Sequence, residues 1–398
     1  MIYKPVIVAV GYNRVDSMKR LLTSIVNADY SGFSDITLII SIDESNMSDA
    51  VERVSEDINW KYGKKIIRRF PERQGLRKHI IACGDLSKEY GAVILLEDDL
   101  VVSKFFYQYT VTAHDFYSEN KKICGISLYS HGRNQFTNER FIPSETEYDV
   151  FLGQMVVTWG QSWTREQWVQ FKKYYIENEN QLPVHNDRIP DEISRWNRSW
   201  GKYYASYMVE YDKYYVYPYR SLTTCFANVG EHNRKTRNLT VSQVPLLNSK
   251  KEFKFGLLDF LIVYDSFYER VLSQNQIVNG IKGNDICFDL SGMKRNVQGR
   301  GFVITNEKFN DKALFSFGLD FKPVEMNILE DNCGDFFFLY KSEDVEKYLK
   351  RRKYHKYNYK LHYERLCYEH MNMTWKDLIY YCRTVLLNRF FMKGGTQK

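Results

Sequence analysis

The chain has 398 residues, 44% hydrophobic and 26% charged, and its 56 Lys and Arg against 49 Asp and Glu give a net charge of +7. That length and apolar content suit two or three globular domains, or one large α/β domain with an extension, and exclude a disordered or collagenous chain. The mild positive excess is no sign of nucleic acid, and the seven cysteines lack a Cys-x-x-Cys pair, so free thiols and no zinc are expected.

Pro5 to Val10 is a run of apolar residues that predicts a buried strand, and Gly11-Tyr12-Asn13-Arg14 follows as a turn. Asp16 or Ser17 can cap a helix to about Ala28, with Met18, Leu21, Leu22 and Ile25 on one face. Ile36 to Ile42 predicts a second strand ending in Asp43-Glu44, then a helix from Ser48 to about Trp60 and a short strand at 65–68. Gln74-Gly75 opens a helix to about Lys88. Ala92 to Leu96 is the strongest buried strand, and it runs straight into Glu97-Asp98-Asp99. This alternation predicts a mostly parallel sheet with helices on both faces. A helix from Ser103 to Glu119, a strand from Ile123 to Leu128 and a strand from Phe151 to Thr158 follow. After Trp159-Gly160-Gln161-Ser162-Trp163 a helix runs to about Glu177, and Ile193 to Val209 reads as a further helix. Tyr214 to Tyr217 and Ser221 to Asn228 read as short strands. Beyond 248 the texture changes to a helical stretch from Leu257 to Gln274, mixed short strands to about Leu339, and a basic, Tyr-rich tail whose densest part is Lys350 to Lys356. The expected division is 1–248, with halves at 1–102 and 103–248, followed by a mixed and helical extension over 249–398. No signal peptide and no apolar run near about 20 residues is present, so a cytoplasmic chain without a membrane span is expected.

Three adjacent carboxylates at the end of a buried strand repel one another and are costly to desolvate, which points to a divalent cation such as Mg or Mn. An exposed acidic turn is the alternative. Asp43, at the end of its strand, suits a base or ribose hydroxyl, or a helix cap. Of the basic run Arg68, Arg69, Arg73, Arg77 and Lys78, Arg77 lies nearest a helix start and suits a pyrophosphate. Trp159-Gly160 offers a flat wall for a sugar, or core. His232 is a candidate Mn ligand in a polar turn, or a surface histidine. Asp191 and Glu192 are candidates for a general base acting on an acceptor hydroxyl, or first-turn acids of a helix.

Together, Val6 to Arg14 and Leu95-Leu96-Glu97-Asp98-Asp99-Leu100-Val101-Val102 resemble the glycosyltransferase A fold, with a Glu-Asp-Asp motif similar to that of the N-acetylglucosaminyltransferase I group. Trp159-Gly160 and Ser221 to His232 resemble bacterial relatives from capsule and O-antigen clusters. The resemblance spans about residues 3–235. It implies a Rossmann-like domain that moves a sugar, with inversion, from a nucleotide-sugar donor, most simply UDP-linked, to a glycan or lipid-linked glycan. It implies Asp99 as direct metal ligand, Glu97 and Asp98 near the ribose and sugar, Tyr12, Asn13 and Asp43 on the nucleotide, and His232 at the metal or pyrophosphate. In relatives that carry Trp-Asp before this helix the aligned residues here are Trp200-Gly201, so the resemblance assigns no base at that position, and Asp191 and Glu192 are the nearest substitutes. The basic tail is expected to touch an anionic membrane surface, to pack on the domain, or to form a homodimer contact. Two rivals are a sugar nucleotidyltransferase, against which the absence of a Gly-x-Gly loop counts, and a non-catalytic glycan-binding scaffold.

Overall fold

An all-apolar strand is stable only where both of its faces are covered. β1 (Val6–Gly11) meets that condition, being buried at every position. It is followed by α1 (Val15–Val26), β2 (Leu38–Ile42), α2 (Ser48–Glu56), β3 (Lys65–Arg69), α3 (Gly75–Gly84), the single turn α4 (Ser87–Tyr90) and β4 (Ala92–Glu97). β1 pairs in parallel with β2 and β4, and β2 with β3. On α1 the predicted face of Met18, Leu21, Leu22 and Ile25 is fully buried, each side chain contributing about 1.5–3 kcal/mol by leaving water. The computed structural model describes residues 3–352 apart from Val157, 181–185, 197–198, 227–242, 250–251, Gln298 and Asp311, and beyond them Thr374, Lys376, Ile379, Cys382 and Arg383.

The chain continues through β5 (Leu100–Val102), α5 (Phe106–Tyr117), β6 (Ile123–Ser127), β7 (Val150–Gly153), β8 (Gln161–Thr164), α6 (Arg165–Asn178), α7 (Asp191–Ser194), α8 (Gly201–Glu210), β9 (Tyr214–Pro218), β10 (Thr223–Cys225), β11 (Val263–Tyr264) and β12 (Arg270–Val271). Ten strands form one sheet in the order β12-β11-β7-β9-β6-β8-β4-β1-β2-β3. β7, β8 and β11 run against the rest, so the sheet is mostly parallel, as expected. The expected strand at Phe151–Thr158 is shorter, ending at Gly153, and the Trp159–Trp163 segment instead supplies β8. β8 enters through Gly160, whose φ is +97°. A Cβ there would stand 2.7 Å from Thr223 Cγ2. β8 leaves through Thr164, which caps α6 reciprocally with Gln167. Of the single helix expected over Ile193–Val209, the described residues form α7, which ends at Ser194 with Arg195 as its C-cap, and α8, which begins at Gly201.

One apolar core lies on each face of the sheet. α3, α6 and α8 cover the face that carries Val8, Leu95 and Trp163. α1, α2 and α5 cover the face that carries Ile7, Ile40 and Leu96.

The helix expected from Leu257 to Gln274 is absent. A 3-10 turn at Leu258–Phe260 leads into the antiparallel pair β11–β12, which extends the main sheet beyond residue 248. The cause is Asp265, whose Oδ1 accepts from Phe267 N at 2.8 Å and Glu269 N at 3.1 Å, a turn that competes with the helical ladder. A hairpin of β13 (Ile277–Val278) and β14 (Ile281–Lys282) follows. A second sheet contains β15 (Ile286–Asp289), β16 (Phe302–Thr305), β17 (Phe315–Phe317) and β18 (Phe337–Lys341) in the order β15-β16-β18-β17, with α9 (Met326–Leu329) and α10 (Ser342–Lys350) beside it. A buried ion pair and a buried carboxyl join it to the main sheet. Lys294 Nζ meets Asp265 Oδ2 at 2.5 Å, and Glu269 Oε1 accepts from Ser291 N at 2.8 Å. Arg352, part of the basic run at 350–356, turns inward and donates to Asp289 at 2.7 Å. The rest of that run and most of the final helix candidate, 375–392, lie outside the described residues. No helix among the described residues is long and apolar enough to cross a membrane.

Two outcomes follow. Burial, with Asp289 and Asp265 adding to it against Lys294, pushes the Glu269 carboxyl up to about 8. The folded state therefore holds a proton that the unfolded state releases near pH 4.5, and stability falls as pH rises from about 4.5 through about 8. Glu269→Gln, which keeps the acceptor oxygen, should leave the melting temperature unchanged near pH 4.5 and raise it by several degrees at pH 8.5; thermal melts across that range check this. Gly160→Ala should lower stability by about 1–3 kcal/mol in denaturant titrations, because it combines positive φ with the Thr223 clash.

Candidate functional site

The carboxyl ends of β1, β2 and β4 form one rim, and the turn residues after them face one another across it. β4 stops at Glu97, and Asp98-Asp99 turn the chain into β5, which is held down by its antiparallel pairing to β10. Phe226 N donates to Asp99 O at 2.8 Å and closes the turn. Across the rim, Arg14 from the turn after β1 donates to Asp98 and lies 3.3 Å from Asp99 Oδ2. The Tyr12 backbone hydrogen-bonds the same Asp98 carboxylate.

These contacts compensate only part of the charge. Burial, then the Asp99 and Asp98 charges, push Glu97 up to about 8 against the pull of Arg14. Asp98 is pushed up to about 6, mainly by burial, with Arg14 opposing. Burial disfavours the Arg14 cation, but Asp98 and Asp99 outweigh it and hold the guanidinium protonated. Asp99 Oδ1 is buried with no hydrogen-bond partner. A buried carboxylate oxygen without a donor is the signature of a missing cation or water. Among the described residues no group of three or more His, Cys, Asp and Glu surrounds a common point. The donor set thus fits a hard cation held by one or two carboxylates together with phosphate oxygens of a ligand, and does not fit an all-protein cage.

The remaining expected residues divide. Asp43 is buried at the end of β2 and accepts from Gln74 N at 2.7 Å and Gly75 N at 2.9 Å. It therefore anchors the start of α3. Tyr12 carries the Arg73 guanidinium over its ring at 4.9 Å, and Asn13 beside it is partly exposed. Arg77, on the first turn of α3, lies over the Tyr203 ring at 5.2 Å. Of its basic neighbours, Arg69 is tied to Glu44, Asp49 and Glu52, and Arg68 to Ser41. The pairing of Leu95 with Gln161 carries Gly160 and Trp159 alongside Leu96 and Glu97, so that wall stands next to the acids. Asp191 is held by Arg295 at 2.5 Å, and Glu192 is partly buried at the start of α7. His232 lies outside the described residues.

The rim also gathers residues that the sequence did not single out. Tyr129 and His131 follow β6 and pack on Trp159, with ring centroids at 4.9 and 6.2 Å. His131 Nδ1 meets Tyr268 Oη at 3.2 Å, while His131 Nε2 and Tyr129 Oη are buried without partners. Burial drives His131 down to about 3, so its imidazole is neutral. The signal for Arg14 was its position in the turn after β1. For Tyr129 and His131 no local signal exists.

No protein-family model and no curated protein matches the sequence. Parts of the chain are similar to solved structures. GalNAc-T7 with UDP, GalNAc and Mn2+ aligns over 55% of this chain and 43% of its own at 13% identity, with a TM-score of 0.39. Mannosyltransferase PcManGT from Pyrobaculum calidifontis in complex with GDP-Man and Mn2+ aligns over 43% of this chain and 47% of its own at 12% identity, with a TM-score of 0.29. S. aureus TarS 1–349 aligns over 56% of this chain and 60% of its own at 13% identity, with a TM-score of 0.33. The chain thus spans less than two thirds of each, and at these TM-scores the likeness assigns no activity.

Proposed function

We propose that this chain is a cation-dependent glycosyltransferase that moves a sugar from a nucleotide-sugar donor to a hydroxyl acceptor. The observation that carries the reading is the acid turn: a strand buried on both faces delivers Glu97, Asp98 and Asp99 to the ligand rim of the sheet, where Arg14 neutralises part of the charge and Asp99 Oδ1 keeps no partner. In this reading Asp99 is the direct ligand of Mn or Mg. When bound, the ion stabilises the charge that develops on the departing nucleoside diphosphate.

The chain's own residues supply the rest. Tyr12, Asn13 and the Asp43-anchored start of α3 line the nucleotide side, and Arg77 adds positive charge there. Glu97 and Asp98 face the donor's ribose and sugar. Trp159 and Gly160 wall the acceptor side, where an apolar ring face suits the C–H face of a sugar. The acceptor oxygen forms its bond to the anomeric carbon as the bond to the diphosphate breaks, with inversion, and its proton passes to a carboxylate. Because Asp191 is engaged by Arg295, Glu192 is the base assigned here. The resemblance noted above supports a UDP-linked donor and a growing bacterial surface polysaccharide or lipid-linked glycan as acceptor.

The test is release of nucleoside diphosphate from a panel of nucleotide sugars, with Mn or Mg and with EDTA, with and without added oligosaccharides. Release from one donor should require metal and fall by about 100-fold or more in a folded Asp99→Ala variant. Release that is indifferent to EDTA and to Asp99→Ala would contradict the reading.

A further inference from the structure

A cleft of about 760 Å3, its open mouth included, lies where the second sheet meets the main one. That volume falls within the roughly 300–1,000 Å3 of small-molecule sites, which favour such junctions. Four segments line it: the loop after β6 (Asn134 and 139–142), the β11–β12 turn at 268–270, Leu290-Ser291 after β15, and 319–325 apart from 320 and 321, before α9. The acid turn contributes nothing to it.

Two kinds of surface share the lining. Tyr268, Ile142 and Leu319 supply apolar faces, and Ile142 is half-buried while standing apart from the apolar cores. Beside them are polar groups already engaged with one another. Arg270 donates to Ser144 Oγ at 3.2 Å, and Ser144 Oγ donates in turn to Glu325 Oε1 at 2.7 Å. Glu139 Oε2 accepts from Thr137 Oγ1 at 3.1 Å and Ser291 Oγ at 3.4 Å. Arg140, Arg270 and Lys322 share the lining with Glu139, Glu269 and Glu325, a mixture that favours a neutral ligand over an ion. A guanidinium has five donors and a carboxylate about four acceptor positions, so these groups can serve a ligand without giving up each other. Burial keeps the Glu269 carboxyl protonated at neutral pH, so it can donate as well as accept. A molecule that donates and accepts at many positions and also carries C–H faces matches such a lining, and that molecule is a sugar.

The cleft adjoins the wall assigned to the acceptor. The Tyr268 hydroxyl meets His131 Nδ1 at 3.2 Å, and the His131 ring packs on Trp159 with centroids 6.2 Å apart. One histidine thus links the cleft to that wall.

We propose that this cleft is a carbohydrate-binding site that takes a neutral sugar unit. The unit comes either from a free saccharide or from an inner residue of the acceptor glycan. The second source rests on the transferase reading above, and the first does not.

Saturation-transfer NMR on the full chain tests this, with the methyl glycosides of glucose, galactose, mannose, N-acetylglucosamine and N-acetylgalactosamine as probes. At least one glycoside should receive saturation from wild type and equally from Asp99→Ala, which separates the cleft from the acid turn. Ile142→Trp fills the cleft from a half-buried position and should abolish the transfer while melting close to wild type. Arg270→Gln should weaken binding about 10-fold, the loss expected for hydrogen bonds from a charged donor. Once a donor is found, transfer to an oligosaccharide separates the two sources. An acceptor KM raised by Ile142→Trp, with kcat and donor hydrolysis unchanged, assigns the cleft to the acceptor glycan, and an unchanged KM assigns it to a free saccharide. Glycoside binding by a chain that fails the nucleotide-release test would uphold this site and sink only the transferase reading. No saturation transfer to any probe would overturn the proposal. So would transfer that persists undiminished in a folded Ile142→Trp, or in Arg270→Gln if the first variant does not fold.

Discussion

Three carboxylates at the end of a doubly buried strand set the terms for this molecule. β4 cannot move, because β1 and β8 hold both its edges and apolar cores cover both its faces. The charge it carries to the rim must therefore be balanced where it stands. Arg14 does so in part, across Asp98 and Asp99. Glu97 responds by holding its proton, and Asp99 Oδ1 is left bare. A bound divalent ion would invert this pKa logic, replacing the proton and completing the coordination that Arg14 cannot supply.

Around that centre, the fold places cations on the helix starts and aromatic rings on the opposite wall. α3 begins at the rim because Asp43 ties its first amides to the end of β2. The wall of Trp159, Tyr129 and His131 exists because β8 runs antiparallel into the middle of the sheet, which carries its entry turn back beside Glu97. The second sheet is tied to the β11–β12 edge, which supplies Tyr268 to His131, by the Asp265–Lys294 pair, while Arg352 on Asp289 closes the second sheet on itself. Buried pairs of this kind are costly to break singly, so they fix a docking geometry even where they add little net stability.

What the sequence shows is what local pattern can encode. Val6–Val10, Ile36–Ile42 and Ala92–Leu96 are legible because parallel strands buried on both faces read as apolar runs. β8 is not, because Gln161 and Ser162 are polar and become buried only through distant partners: Ser162 Oγ donates to Val93 O at 2.7 Å and meets His114 Nε2 at 2.7 Å. The apolar spacing between Leu257 and Gln274 suggests a helix, and one aspartate turn at 265 overrides it. At the site, the acid turn is legible because acids after a buried strand are anomalous in one dimension. Arg14 and His131 acquire meaning only when strands far apart in the chain bring them to one rim. Asp43 shows the converse: its position was read correctly as the end of a strand at the rim, while its carboxylate is committed to backbone amides.

On this reading the turn at Asp99 is a cation site completed by a nucleotide. The most direct measurement is Mn binding by electron paramagnetic resonance, with and without UDP, on wild type and Asp99→Asn. One tightly held Mn per chain should appear with the nucleotide and be lost in Asp99→Asn. Mn binding that ignores both the nucleotide and the substitution, or no binding at all, would contradict it and leave the acid turn a structural feature neutralised by Arg14 alone.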